Sequence, residues 1–305
     1  MRLLYIILLF VFLSSCEKIL DVELEEKEKK VVLNCLFTPD SLFNINLSRS
    51  QGILDTHSIE FINNAEIKLY EDGNFIANFN LTDSLYGFYS VDSFYPAVGK
   101  HYSVEVNTGN ASETVYAANY IPQPVSFEIG DTSTRENNMS KQVLCNIKLS
   151  DPEGIDNYYC LELLRYYSFD FYEVKSKIYK TNVYFYLDDQ ILGDFVESNG
   201  SYLFSDEFFN GKEINFKIYI HYGEISNYDS DSVKVYFLMH SVSREYYRYI
   251  TSYERNANAS ANPFAEPVQV FSNVNNGLGI FAGSSTYVDS LYFIGYHGGE
   301  IYYDY

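Results

Sequence analysis

The chain has no tryptophan, and only four cysteines and seven prolines among its 305 residues. The missing indoles weaken the case for a sugar-stacking platform without excluding one. Cationic residues are scarce as well: 21 Lys and Arg face 41 Asp and Glu, a formal net charge of −20. Such a surface repels phosphate backbones and anionic membrane faces, so nucleic acid is not an expected partner. A membrane-spanning run is missing too. Leu3–Leu13 is unbroken and apolar, but a spanning helix needs about 20 apolar residues. Behind Arg2 it has the length of a signal-peptide core. No HExxH, CxxC or GxSxG pattern occurs, and His57, His101, His221, His240 and His297 fall at no metal-ligand spacing. No metal or cofactor is therefore expected, and no catalytic residue can be named.

What is abundant is aromatic. Tyr 31 and Phe 23 suit pleated surfaces and lean the chain towards β structure. Val31, Leu33, Cys35 and Phe37 alternate with polar or smaller neighbours. Ile45 and Leu47, Ile67 and Leu69, and Tyr102, Val104 and Val106 do the same. Glu71-Asp72-Gly73-Asn74 is a strong hairpin turn. Roughly seven strands before residue 120 predict a β-sandwich over 31–120. The stretch Gly87-Phe88-Tyr89, Pro96, Gly99 and Tyr102-Ser103-Val104 resembles the transthyretin-like sandwich. Ile121-Pro122-Gln123-Pro124 should end it, because paired prolines stop a ladder.

A second β-rich, sandwich-like domain is expected over 121–305. Its one helix should span Ser243 to Asn256, with Tyr246, Tyr249, Ile250 and Tyr253 on one face covering a sheet. Asn275-Asn276-Gly277 reads as a further hairpin turn. Cys145 alternates in phase with Val143 and Ile147. Cys160 shares a face with Glu162, opposite Leu161 and Leu163. Neighbouring strands with thiols on opposite faces cannot bridge them, so free thiols are expected.

Leu13-Ser14-Ser15-Cys16 resembles the lipobox of bacterial lipoproteins. The resemblance implies a signal peptide over 1–15, cleavage before Cys16, and acyl chains of the palmitate type on its sulfur and new amine. Residues 16–30 would then be a lipid-anchored segment, with a short strand at Leu20–Glu25. The later motifs run in a characteristic order: Val31-Val32-Leu33-Asn34, Asn64 to Tyr70, Asp151-Pro152-Glu153-Gly154 with Asn157-Tyr158-Tyr159, and Glu245-Tyr246-Tyr247. Asn262-Pro263-Phe264, Glu266-Pro267-Val268, Ser272-Asn273-Val274 and Asn276 to Phe281 close the series. Together they resemble the Bacteroidota lipoproteins grouped as domain of unknown function family 4249. That resemblance implies an accessory role in uptake at the outer membrane, on its periplasmic face or at the cell surface, beside a TonB-dependent receptor. Asp-Ser-aliphatic triplets at Ser41, Ser84, Ser232 and Ser290 resemble the O-glycosylation sequon of that phylum.

The expected function is therefore a non-enzymatic, lipid-anchored binding protein. A hydrolase acting on an extracytoplasmic polymer is the alternative. A histidine between an acid and a hydroxyl would favour the hydrolase, and an exposed Tyr-rich patch would favour the binding protein. Phe264, Asn273 and Asn276, in the segment Asn262 to Phe281, form the candidate binding surface. Its competing reading is a cap on the second sandwich.

Overall fold

The computed structural model describes residues 28–52, 55–109, 114–136, 141–169, 177–187, 190–225, 232–261, 265–266, 268–294 and 302–304. Cys16, Phe264 and the strand expected at Leu20–Glu25 lie outside them. The first eight strands are β1 (Val31–Phe37), β2 (Asn44–Arg49), β3 (Glu66–Glu71), β4 (Asn74–Asn78), β5 (Asn80–Asp83), β6 (Phe88–Ser90), β7 (His101–Asn107) and β8 (Val115–Tyr120). Then come β9 (Phe127–Glu136), β10 (Lys141–Ser150), β11 (Tyr158–Phe169), β12 (Lys177–Asn182), β13 (Phe185–Leu187), β14 (Val196–Ser198), β15 (Ser201–Ser205) and β16 (Glu213–His221). A short helix α1 (Tyr222–Ile225) precedes β17 (Ser232–Val242). The long helix α2 (Arg244–Ser260), β18 (Leu278–Ile294) and β19 (Tyr302–Asp304) complete the order. The chain is mainly β, as its alternation predicts.

Alternation decides which side chains meet. In β1, Val31, Leu33, Cys35 and Phe37 are buried while the residues between them are not. In β16, Ile214, Phe216, Ile218 and Ile220 point inward. Each fully buried side chain of this size contributes roughly 1.5–3 kcal/mol. The buried faces form two cores. The first lies between the strands β1, β2, β6 and β5 and the sheet β4-β3-β7-β8. The second lies between β14, β15, β11, β17 and β18 and the sheet β13-β16-β10-β9.

The two sandwiches are not separate along the chain. Pro122 to Ser126 forms no strand, as the paired prolines predict. Yet β18 belongs to both units. Its residues 278–283 run parallel to β1, with Val32 opposite Leu278 and Cys35 opposite Phe281. Its residues 284–294 run antiparallel to β17. Val274 and Phe281 lie in the first core, whereas Leu291 and Phe293 lie in the second. Assigning everything after residue 121 to the second unit is thus corrected for residues 274–283. The reason is a pairing between segments far apart in the same chain that no local pattern announces.

Glycine makes that pairing close. Gly279 has φ +106°, and a Cβ there would stand 2.1 Å from the Leu33 carbonyl oxygen. Around the crossing, the backbone N–H of Gly283 donates to Asn119 Oδ1 (3.4 Å), and Ser285 Oγ donates to the Pro122 carbonyl (2.7 Å). The Val125 N–H donates to Ser241 Oγ (3.1 Å). The linker is therefore stitched to the shared strand.

Helix α2 starts at Ser243, whose hydroxyl accepts the Tyr246 N–H at 3.3 Å as an N-cap. It covers one end of the outer face of the second sandwich. Tyr246, Tyr247 and Ile250 pack on Cys160, Leu203 and Val242. The covering face is turned slightly from the expected one. Tyr253 is half-exposed and stacks on Tyr249.

Candidate functional site

The segment expected to bind is used largely within the fold. Asn273 Oδ1 accepts the Phe281 N–H (2.9 Å), and its Nδ2 donates to the Phe281 carbonyl (2.7 Å) and the Ala118 carbonyl (3.4 Å). Asn276 takes a left-handed backbone, φ 61°, and donates to the Thr114 carbonyl at 3.4 Å. The turn at Asn275–Gly277 is real, but it leads into β18 rather than closing a hairpin. Residues 268–274, which lead into it, form no strand, and Asn275 makes an isolated bridge to Tyr116. Asn273 and Asn276 thus tie the approach of β18 to β8. The polar atoms of Asn273 are committed to backbone groups, which leaves them little to offer a partner.

Of the Asp151-Pro152-Glu153-Gly154 motif, Asp151 is buried and the other three residues are exposed. Asp151 accepts the Tyr159 hydroxyl and the Gly211 N–H (2.8 Å). Nearby, Asp206 accepts the Asn157 N–H (2.8 Å) and Asn210 Nδ2 (3.0 Å). Burial holds the Asp206 carboxyl above the ordinary carboxylate range.

Chemistry that the sequence spacing did not reveal lies on the outer face of β11, β17 and β18. Register places Cys160 beside His240 and His240 beside Thr286. Alternation puts Glu162, two residues beyond Cys160, on the same face. His240 Nδ1 lies 2.8 Å from Thr286 Oγ1, and Nε2 lies 3.3 Å from Glu162 Oε2. With Nε2–H donating to the carboxylate, a neutral ring leaves Nδ1 to accept the threonine hydroxyl. The hydrogen bond from His240 holds the Glu162 carboxyl below its ordinary range, against the opposing effect of burial. This is a hydroxyl–imidazole–carboxylate chain on a sheet face. Cys160 stands beside it, but burial pushes its thiol up to about 12, which leaves it inert at neutral pH.

Further along the same face the rows turn aromatic. Tyr166 meets Tyr236 edge-on at 5.4 Å between ring centroids. Lys234 Nζ sits 5.0 Å from the ring centres of both Tyr236 and Tyr292. Tyr166 is 48% exposed, Val288 50% and Tyr292 44%. Helix α2 stops short of these rows, so they remain open.

All three described cysteines are free and buried. Among the described residues no group of three His, Cys, Asp or Glu side chains converges as a metal site. Ser41 and Ser84 lie in exposed turns, whereas Ser290 sits inside β18 opposite Tyr236.

No curated protein matches the chain. Solved structures that align with it include one titled as manganese lipoxygenase of Gaeumannomyces graminis with a partial zonadhesin of Komagataella pastoris. It is 6% identical over 70% of this chain and 89% of that one, with a TM-score of 0.18. A biofilm-associated protein BSP domain aligns at 10% identity over 88% of this chain and 62% of its own, TM-score 0.16. The yeast delta-COP-I mu-homology domain with a Dsl1 WxWxV peptide aligns at 10% identity over 86% and 97%, TM-score 0.16. A family model described as a domain of unknown function, DUF4249, matches residues 17–289.

Proposed function

Because the chain belongs to the DUF4249 family, we propose that it is a lipid-anchored accessory protein of the outer membrane that works by contact with a TonB-dependent uptake receptor. The observation that carries this reading is the open aromatic face of Tyr166, Tyr236, Lys234 and Tyr292. Tyrosines give large contact area with a polar tip, and they are enriched where protein surfaces meet. The lipobox supports the anchor, and the family match begins at residue 17, directly behind Cys16.

Two experiments test it. Cys16→Ala should leave an unprocessed precursor without acyl label, and normal acylation of that variant would sink the anchor. Tyr166→Ala with Tyr292→Ala should lower recovery of the receptor from detergent-solubilised membranes while the melting temperature stays within a few degrees. Undiminished recovery would remove the aromatic face from the proposal.

One observation favours a second reading. The Thr286–His240–Glu162 chain is the arrangement a hydrolase would use to draw a proton from a hydroxyl. It lies on a pleated sheet face formed by β11, β17 and β18 rather than in a cleft. For that reason the contact reading ranks first. If the pure protein cleaves a cell-envelope polymer and Thr286→Ala or His240→Ala abolishes cleavage, the hydrolase reading replaces it.

A further inference from the structure

On the other side of α2 lies an open groove of about 750 Å³, between the helix and the segment 269–278. Its lining is unlike the rest of the molecule. Lys30, Arg248 and Arg255 border it, and no Asp or Glu among the described residues does. In a chain with about twice as many acids as bases, three cations together in one concavity are a marked departure. Neighbouring Lys29 is paired with Asp55 and Glu60. Lys30 and Arg255 have no such ion pair among the described residues.

The groove is also rigidly built. Arg248 and Arg255 are seven residues apart on one helix, hence on one face two turns apart. The facing segment is strapped to the helix. Asn256 Nδ2 donates to the Val268 carbonyl (2.6 Å), the Phe271 N–H donates to Ser252 Oγ (2.8 Å), and the Arg248 guanidinium lies 4.1 Å from the Phe271 ring centre. The main chain at Lys30 is held by reciprocal bonds with Ser50: its N–H donates to Ser50 Oγ (2.9 Å), and its carbonyl accepts the Ser50 N–H (2.8 Å). Gln269 and Ser272 add neutral polar groups to the wall.

We propose that this groove is a binding site for a small soluble oxyanion with at least two negative charges, of the polycarboxylate or phosphate-ester class. The volume lies within the range of small-molecule sites, about 300–1,000 Å³. A concavity lined by one sign of charge focuses its field, even on a molecule whose net charge is opposite. Arg248 and Arg255 two helical turns apart, with Lys30 as a third cation in the lining, suit a ligand whose charges are spread rather than a single point anion. Arginine's planar fork matches carboxylate and phosphate oxygens.

The test uses the full-length mature lipoprotein in neutral-detergent micelles, titrated calorimetrically with citrate and with inorganic pyrophosphate at low ionic strength. At least one should bind, and raising the salt should weaken it. Lys30→Gln with Arg255→Gln should weaken that binding at least 10-fold with the melting temperature unchanged. Lys234→Gln, on the aromatic rows and outside the groove lining, should not affect it. No binding of either anion at millimolar concentration, or equal binding by the double variant, overturns the site. A response only when the micelles contain phosphatidylglycerol overturns it too, since the anion would then be lipid. The measurement involves no receptor, so its failure and that of the uptake proposal are separable.

Discussion

Gly283 marks where β18 comes closest to the backbone at the end of β8. A Cβ built there would lie 2.4 Å from the Tyr120 carbonyl oxygen and 2.9 Å from the Phe37 ring. Neither neighbour can withdraw, because one is main chain and the other is core. Gly283→Ala should therefore destabilise the protein by about 1–3 kcal/mol in chemical denaturation. Gly52→Ala, with nothing within 4 Å of the added methyl, is the control that should change little. Glu162 supplies a second residue-level expectation. Its carboxyl is held low by the His240 hydrogen bond. A depressed carboxyl contributes stability that is fully present above its unfolded value of about 4.3 and is lost as pH falls through the folded value. Glu162→Gln should thus cost on the order of 1 kcal/mol near neutral pH. The difference from the native chain should shrink in acid, and a gap that persists below both values would contradict the linkage.

At the scale of elements, the cap of α2 is the simplest test. Ser243 is fully buried and its hydroxyl satisfies the Tyr246 N–H. Ser243→Ala should lower stability by about 1 kcal/mol, readable as a loss of melting temperature. This helix was legible in the sequence from its 3.6-residue period, and so were the strands from alternation. Asp72 and Gly73 were legible as a tight turn, and they carry φ of 47° and 82° as a two-residue hairpin of that kind requires. Local pattern could not tell which strand lies beside which. β1 meets β18 in parallel, and nothing in Val31–Phe37 names its partner. For the same reason the hydroxyl–histidine–carboxylate chain was invisible: His240 and Glu162 are 78 residues apart and become neighbours only through the β11–β17 register. Asn273 and Asn276 read as free donors and acceptors, but local sequence cannot show that Asn273 is committed to Phe281 and Ala118, or that Asn276 reaches the Thr114 carbonyl.

For the whole molecule, β18 makes the two cores dependent on each other. Removing it would take Phe281 out of the first core and Leu291 and Phe293 out of the second. Heating should therefore give one calorimetric transition rather than two. A chain ended after residue 276 should show no cooperative unfolding in either half, and a stable, cooperative 31–120 fragment would refute this coupling. The same strand also sets an order in time. A chain is made from its N-terminus, and β1 emerges before the other described strands. Its parallel partner β18 is made only after β2 to β17, so that edge of the first sheet stays open until then. Contacts this distant in sequence close slowly. An unpaired edge invites association with other chains meanwhile. This protein is thus most in need of a chaperone before β18 appears.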